Sequence, residues 1–311
     1  MMVATLNSRN KIMLVLISII LIINIIITNN KYTSYYIEKD SNVYYFTDKN
    51  NDIVPVPVGF EVSKELNIVT DGLVIIDLEN KNEFVWVPCD NFERINYYYS
   101  SLAYKNYNMK FVDKKEYKDI YDSVKKYKGF YIGRYEASRS DKYIDSVLVA
   151  ASIANTKPWN QISYSTNMND IYGYSSGALK SAKYTYKNYN NVNSTISYPE
   201  HYDSIIKWFL SFDKLENENG DEISKNDLLL DGNSIGNNSD KIIYTGSNSK
   251  YCIKHICDLM GNVYELTPES YYGNYHIMRG SKSLSYKKNI DAYSIGYKIG
   301  FRLVLIIWKL M

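Results

Sequence analysis

Residues Ile12–Thr28 read IMLVLISIILIINIIIT, an apolar run broken only by Ser18 and Asn24, and no other feature constrains the chain as strongly. Its length sits at the lower edge of the roughly 17–25 residues that cross a hydrocarbon core about 30 Å thick. Arg9 and Lys11 precede it, which by the positive-inside tendency leaves the N-terminus in the cytoplasm and the rest of the chain outside. Asn29, Asn30, Lys31 and Tyr32 follow, with no small-x-small cleavage site, so the run reads as an uncleaved signal anchor. The expected layout is a cytoplasmic N-terminus (1–11), a single-pass transmembrane helix (12–28), a spacer (29–53) and one extracytoplasmic domain (54–311). That last stretch is within the size of one compact unit.

Charge and composition narrow the partners. Acids and bases are interspersed and the net charge is +2, which gives no electrostatic reason for a nucleic-acid partner. The 33 tyrosines, with Asn, Ser and Gly, match the chemistry of binding surfaces. AT-rich codon usage produces the same set, and that plainer reading is preferred. The three cysteines, Cys89, Cys252 and Cys257, are an odd number and rule out a fully paired framework within one chain. They read as small buried hydrophobes, with pairing of Cys252 and Cys257 across a short loop left open for an exported domain.

In the body, short β-branched runs separated by polar residues predict strands at Gly72–Leu78, Glu83–Val87, Gly129–Glu136 and Leu303–Ile307. Val54-Pro55-Val56-Pro57 predicts an extended entry, and the spacer before it holds at most one short strand. Pro199–Phe212 opens with Pro and Glu and puts Tyr202, Ile205, Ile206, Phe209 and Leu210 on one face, predicting a helix. Ser165–Ala182 predicts a second, less regular helix. Polar stretches at 183–197 and 213–250 read as loops. The balance suits a loop-rich α+β fold.

Several of these segments carry a resemblance. Ile256–Leu266 (ICDLMGNVYEL), Arg279-Gly280-Ser281 and Gly300-Phe301-Arg302 resemble the signatures of the formylglycine-generating (sulfatase-modifying factor) family. Phe84–Pro88 (FVWVP), Phe130–Ser138 (FYIGRYEAS), Lys157-Pro158-Trp159 and the Pro199–Trp208 helix are similar to further pieces, in the same order across roughly residues 55 to 307. The resemblance implies a C-type-lectin-like, loop-rich α+β domain, usually holding calcium. It implies one structural Ca²⁺ held by the Asp258 and Glu265 carboxylates and by the carbonyls of Gly261 and Val263. Oxygen donors of those types are what Ca²⁺ takes. A capped turn at Asp258 and a solvated charge at Glu265 is the plainer alternative.

The resemblance stops short of the enzyme. The family's catalysts hold copper on two cysteines shortly after the Arg-Gly-Gly-Ser motif, and Cu(I) requires soft thiolates. Ser285 and Ile290 stand at those two positions here. The three histidines, His201, His255 and His276, are too far apart in sequence for the spacing of the iron-binding branch. No phosphate loop, Gly-x-Ser-x-Gly elbow or sugar-binding Glu-Pro-Asn triplet occurs. The sequence therefore predicts no catalytic residues and a membrane-anchored, non-catalytic module facing an extracellular protein or glycan. An oxidoreductase with a non-standard metal site and an accessory protein for surface polymers are the rival expectations.

Overall fold

The computed structural model describes residues 35–37, 42–92, 110–111, 114–164, 177–229, 236–271, 275–280, 288–291, 294 and 296–307. The expected cytoplasmic N-terminus (1–11) and anchor (12–28) lie outside the described residues. Within them, no helix is long and apolar enough to cross a membrane.

The chain begins with β1 (Tyr35–Ile37), β2 (Val43–Thr47), β3 (Ile53–Pro57), β4 (Phe60–Val62), β5 (Val74–Asp77) and β6 (Glu83–Pro88). After β7 (Lys110–Phe111) come helix α1 (Lys114–Tyr127), β8 (Gly129–Gly133), β9 (Ser138–Ile144) and β10 (Val147–Ala151). Helix α2 (Ala178–Thr185), β11 (Val192–Ile196), α3 (Pro199–Leu210) and α4 (Lys225–Leu229) follow. The last third holds β12 (Cys252–Ile253), β13 (Ile256–Cys257), β14 (Tyr264–Tyr271), β15 (Tyr275–Arg279), β16 (Lys288–Asp291), β17 (Ile299–Gly300) and β18 (Leu303–Ile307). Among the described residues strand exceeds helix, 36% to 21%, and the pairs of the main sheet are antiparallel, which defines a sheet-rich α+β fold.

The main sheet runs β11-β18-β8-β6-β5-β4. Successive side chains along a strand point to opposite faces, and here both faces are apolar. Ile75, Phe84, Trp86, Tyr131, Leu303, Leu305 and Ile307 join one cluster, and Val74, Val85, Val87, Ile132, Val304 and Ile306 the other. A sheet buried on both sides needs a cover on each. The first cluster is completed by Ala178 and Ala182 of α2 and by Val43, Phe46, Val54 and Val56 of β2 and β3. The second is completed by Ile120 and Val124 of α1 and by Tyr202, Ile205, Ile206 and Phe209 of α3. At about 1.5–3 kcal/mol for each large apolar side chain removed from water, these two layers supply the main driving force for folding.

The four expected strands are present with shifted ends, as β5, β6, β8 and β18. The packed body reaches back to Val43, earlier than the boundary at Val54 read from the sequence. β2 pairs with β3 along its whole length, and Val43 and Phe46 are buried. Helix α3 forms as expected, starting on Pro199, but it is buried on nearly all sides rather than on one face. Of the expected Ser165–Ala182 helix, residues 178–182 lie in α2, and 165–176 fall outside the described residues. The stretch 183–197 is not all loop, since β11 pairs with β18 over five residues.

A second sheet, β16-β15-β14-β17, carries β14 beside β17 in parallel, and β7 also pairs with β14. Two hairpins stand apart from both sheets. β9 pairs with β10, and β12 with β13 through the turn Lys254–His255, whose residues both have positive φ (47° and 64°). That is the backbone of a tight two-residue hairpin.

Candidate functional site

The residues of the resemblance meet in the interior, where α3, β14, β15 and the start of β18 converge. Arg302 is fully buried and all its donor groups are used. Its Nε and Nη2 reach Glu265 Oε1 at 2.8 and 2.7 Å, Nη1 donates to the carbonyls of Gly133 (3.0 Å) and Arg134 (3.2 Å), and Nη2 donates to that of Cys257 (2.8 Å). Tyr202 donates its hydroxyl to Glu265 Oε2. The Arg279 guanidinium lies 5.1 Å from the centre of the Tyr202 ring and donates to Asp203 Oδ1 at 2.9 Å. Tyr202 thus joins two buried ion pairs, Arg302–Glu265 and Arg279–Asp203, and pins α3 to the second sheet. Removing one partner of such a pair costs about 3–5 kcal/mol, because the other charge is left stranded.

The Asp258–Val263 loop lies beside this network. Gly261 has φ +82°, and a Cβ there would meet the Asn237 backbone at 2.6 Å, so only glycine allows the two segments to touch. Glu136, a residue for which the sequence suggested no role, clamps the loop. Its Oε1 accepts the Val263 N–H at 3.0 Å and its Oε2 the Asn262 amide at 2.6 Å. Asp258 accepts the Gly246 N–H on Oδ2 at 2.7 Å, while its buried Oδ1 has no hydrogen-bond partner.

Three buried carboxylates therefore share one guanidinium. Burial, then the neighbouring Asp258 and Glu265, hold the Glu136 carboxyl well above the usual carboxylate range. Burial pushes Asp258 up to about 6 against the Gly246 hydrogen bond and Arg302, and it raises Glu265 against the pull of Arg302. The unpartnered Asp258 oxygen suits a hard cation. Glu265 does not, because both its oxygens are engaged by Arg302 and Tyr202. Of the two carboxylates expected to hold one ion, Asp258 therefore keeps an oxygen to offer and Glu265 does not.

The other sequence candidates are dispersed. His201 caps α3, its Nδ1 accepting the Tyr198 N–H at 2.8 Å, and burial pushes it down to about 3. His255 Nδ1 lies 2.7 Å from Glu218 in the hairpin turn, and His276 stacks on Tyr164 at 3.6 Å. Ile290 is half-buried on β16, while Ser285 lies outside the described residues. Cys252 and Cys257 face each other in register and form a disulfide, which corrects their reading as unpaired hydrophobes. With Glu218 they make the one trio of His, Cys, Asp or Glu ligand atoms within 4.8 Å among the described residues, and the disulfide leaves no thiolate there.

The accessible chemistry lies elsewhere, in an open cleft of about 1160 Å³. Its walls are the turn between β5 and β6, the β9–β10 hairpin and the segment 188–191. Buried Asp77 organises one wall. Its Oδ1 accepts the Glu79 N–H at 2.9 Å, and its Oδ2 accepts Tyr186 Oη (2.9 Å) and the Asn80 amide (2.8 Å). Tyr189 donates to Glu79 at 3.0 Å and accepts from Asn80 at 2.9 Å, and Asn82 donates to Tyr186 at 3.0 Å. Beneath them Tyr186 packs on Phe60 and Phe84 at centroid distances of 5.7 and 6.0 Å. The Asn- and Tyr-rich composition was visible in the sequence, but nothing there brings residues 79–82, 139–143 and 188–191 together.

The fold and its interior polar network define a sheet-rich α+β domain built around paired buried charges. No protein-family model, curated protein or solved structure matches the chain.

Proposed function

We propose that the chain is a membrane-anchored, extracytoplasmic, non-catalytic binding module of the formylglycine-generating type, with a C-type-lectin-like domain whose ligand occupies the cleft. One observation carries this reading. The motif residues Glu265, Arg279 and Arg302 are fully buried and held in interior ion pairs, Arg302 with Glu265 and Arg279 with Asp203, whereas the cleft offers exposed polar side chains such as Asn188 and Asn190. Ser285 and Ile290 in place of two cysteines argue against copper chemistry. The Cys252–Cys257 disulfide supports an oxidising location, since such bonds persist mainly outside the cytosol.

The test uses the full-length chain. A photo-crosslinking residue at Asn188, in the cleft, should form an adduct on the surface of the native cell. The same residue at Lys118, exposed on α1, should not. Purified in detergent, the protein should leave a cysteine-containing peptide unoxidised. Aldehyde formation on that peptide would restore the oxidoreductase reading, and equal crosslinking at both positions would remove the cleft from the argument.

A further inference from the structure

We infer that the cleft takes an uncharged saccharide chain, an assignment that rests on the binding-module reading above. Charge is the first reason. Its charged lining consists of Arg139 and Lys142 against Glu79 and Asp141, two of each sign, and Lys142 is already engaged by Asn80 and by Glu79 at 3.8 Å. A phosphate or uronate polymer calls for an excess of cations and a basic peptide for an excess of acids. Neither excess is present.

The neutral groups make the positive case. Asn188 and Asn190 are exposed at the cleft edge, and each amide offers two donors and a two-lone-pair acceptor, the combination that answers a hydroxyl acting both ways. Apolar surface lies among them, with Tyr143 66% and Val58 55% exposed. A sugar ring presents the same alternation, hydroxyls on its edge and C–H groups on its face, and an aromatic ring with a polar tip suits it.

Rigidity and shape agree. Asp77, Asn80, Asn82, Tyr186 and Tyr189 hold one another through the bonds given above, so the wall is set before a ligand arrives and little ordering cost falls on binding. The volume exceeds the roughly 300–1,000 Å³ typical of pockets that enclose small molecules. An open groove of that size suits a chain lying across it.

The full-length protein in detergent would be passed over sensors carrying neutral gluco-, manno- and galacto-hexasaccharides, a uronic-acid hexasaccharide and an unrelated peptide. Binding to at least one neutral saccharide is expected, unchanged between about 0.05 and 0.5 M salt, over which exposed charges become strongly screened. Tyr143→Ala, and Asn188→Ala with Asn190→Ala, should each weaken it about tenfold, roughly 1.4 kcal/mol, without moving the melting temperature. Absence of neutral binding, variants that bind like the parent, or salt-sensitive binding to the uronate alone would each overturn the assignment. If the cleft crosslinks to a surface protein and no sugar binds, the binding module stands and the saccharide falls.

Discussion

Asp258 carries the sharpest question at the scale of single residues, because burial holds a proton on its carboxyl and leaves one of its oxygens without a hydrogen-bond partner. Its carboxyl titrates at about 6 in the folded chain, against an ordinary value of 3.8. Between about pH 4 and 6 the folded protein therefore keeps a proton that the unfolded chain has released. Stability contributed by this group falls as pH rises through that window and levels off above it. Asp258→Asn removes the titration and keeps both an acceptor for the Gly246 N–H and a residue type that tolerates the φ of 56°. Urea unfolding at pH 4 and 7.5 should show the variant gaining about 2 kcal/mol relative to the parent as pH rises over that range. His201, whose contribution is lost as pH falls from 6.5 towards about 3, is common to both proteins and cancels. If calcium sits on Asp258, the variant will instead melt lower than the parent in calcium and stop responding to chelator. The motif was legible in sequence as a set of oxygens. What could not be read was that Arg302, 37 positions beyond Glu265, already neutralises it, or that Glu136 clamps Asn262, because both contacts exist only after the strands assemble.

Among the elements, legibility followed the pattern of apolar residues. Strands β5, β6, β8 and β18 are near-continuous apolar runs and helix α3 carries a proline start, so each announces itself. Helix α1 (KKEYKDIYDSVKKY) does not, since it fully buries only Ile120 and Val124, with Tyr117 and Tyr121 partly buried beside them, among many charged residues. β11 hides for another reason. Its Asn, Ser and Thr read as loop, yet Ser194 donates to the Ala182 carbonyl and Thr195 to Glu116, so buried hydroxyls are satisfied inside a strand. The β12–β13 hairpin is the element best suited to test. Its Cys257 carbonyl accepts from Arg302, so the disulfide braces both the turn and the buried guanidinium. Closing so short a loop is worth about 2 kcal/mol in the chain-entropy account. The double change Cys252→Ser and Cys257→Ser should lower the free energy of urea unfolding by that amount, and an unchanged value would show that the bond braces nothing.

For the whole molecule, the class of fold was readable from the alternation of short strands and polar segments, whereas the cleft was not. Its walls come from segments more than a hundred residues apart, Asn80 and Tyr189 among them. Compartment is the property most open to measurement at this scale. Denatured protein from its native cells, alkylated without reduction, should take one label, on Cys89, and three after reduction. Three labels without reduction would place the domain in a reducing compartment and remove the support that the disulfide gives to export. Cys89 itself should react slowly while folded, because burial pushes its thiol up. The position of β18 has a consequence for biosynthesis. It lies between β11 and β8, both made earlier, so the six-stranded sheet stays in two pieces until residues 303–307 arrive. Such a polypeptide cannot complete its main sheet while it leaves the ribosome, and gains its final form only once the closing strand is delivered.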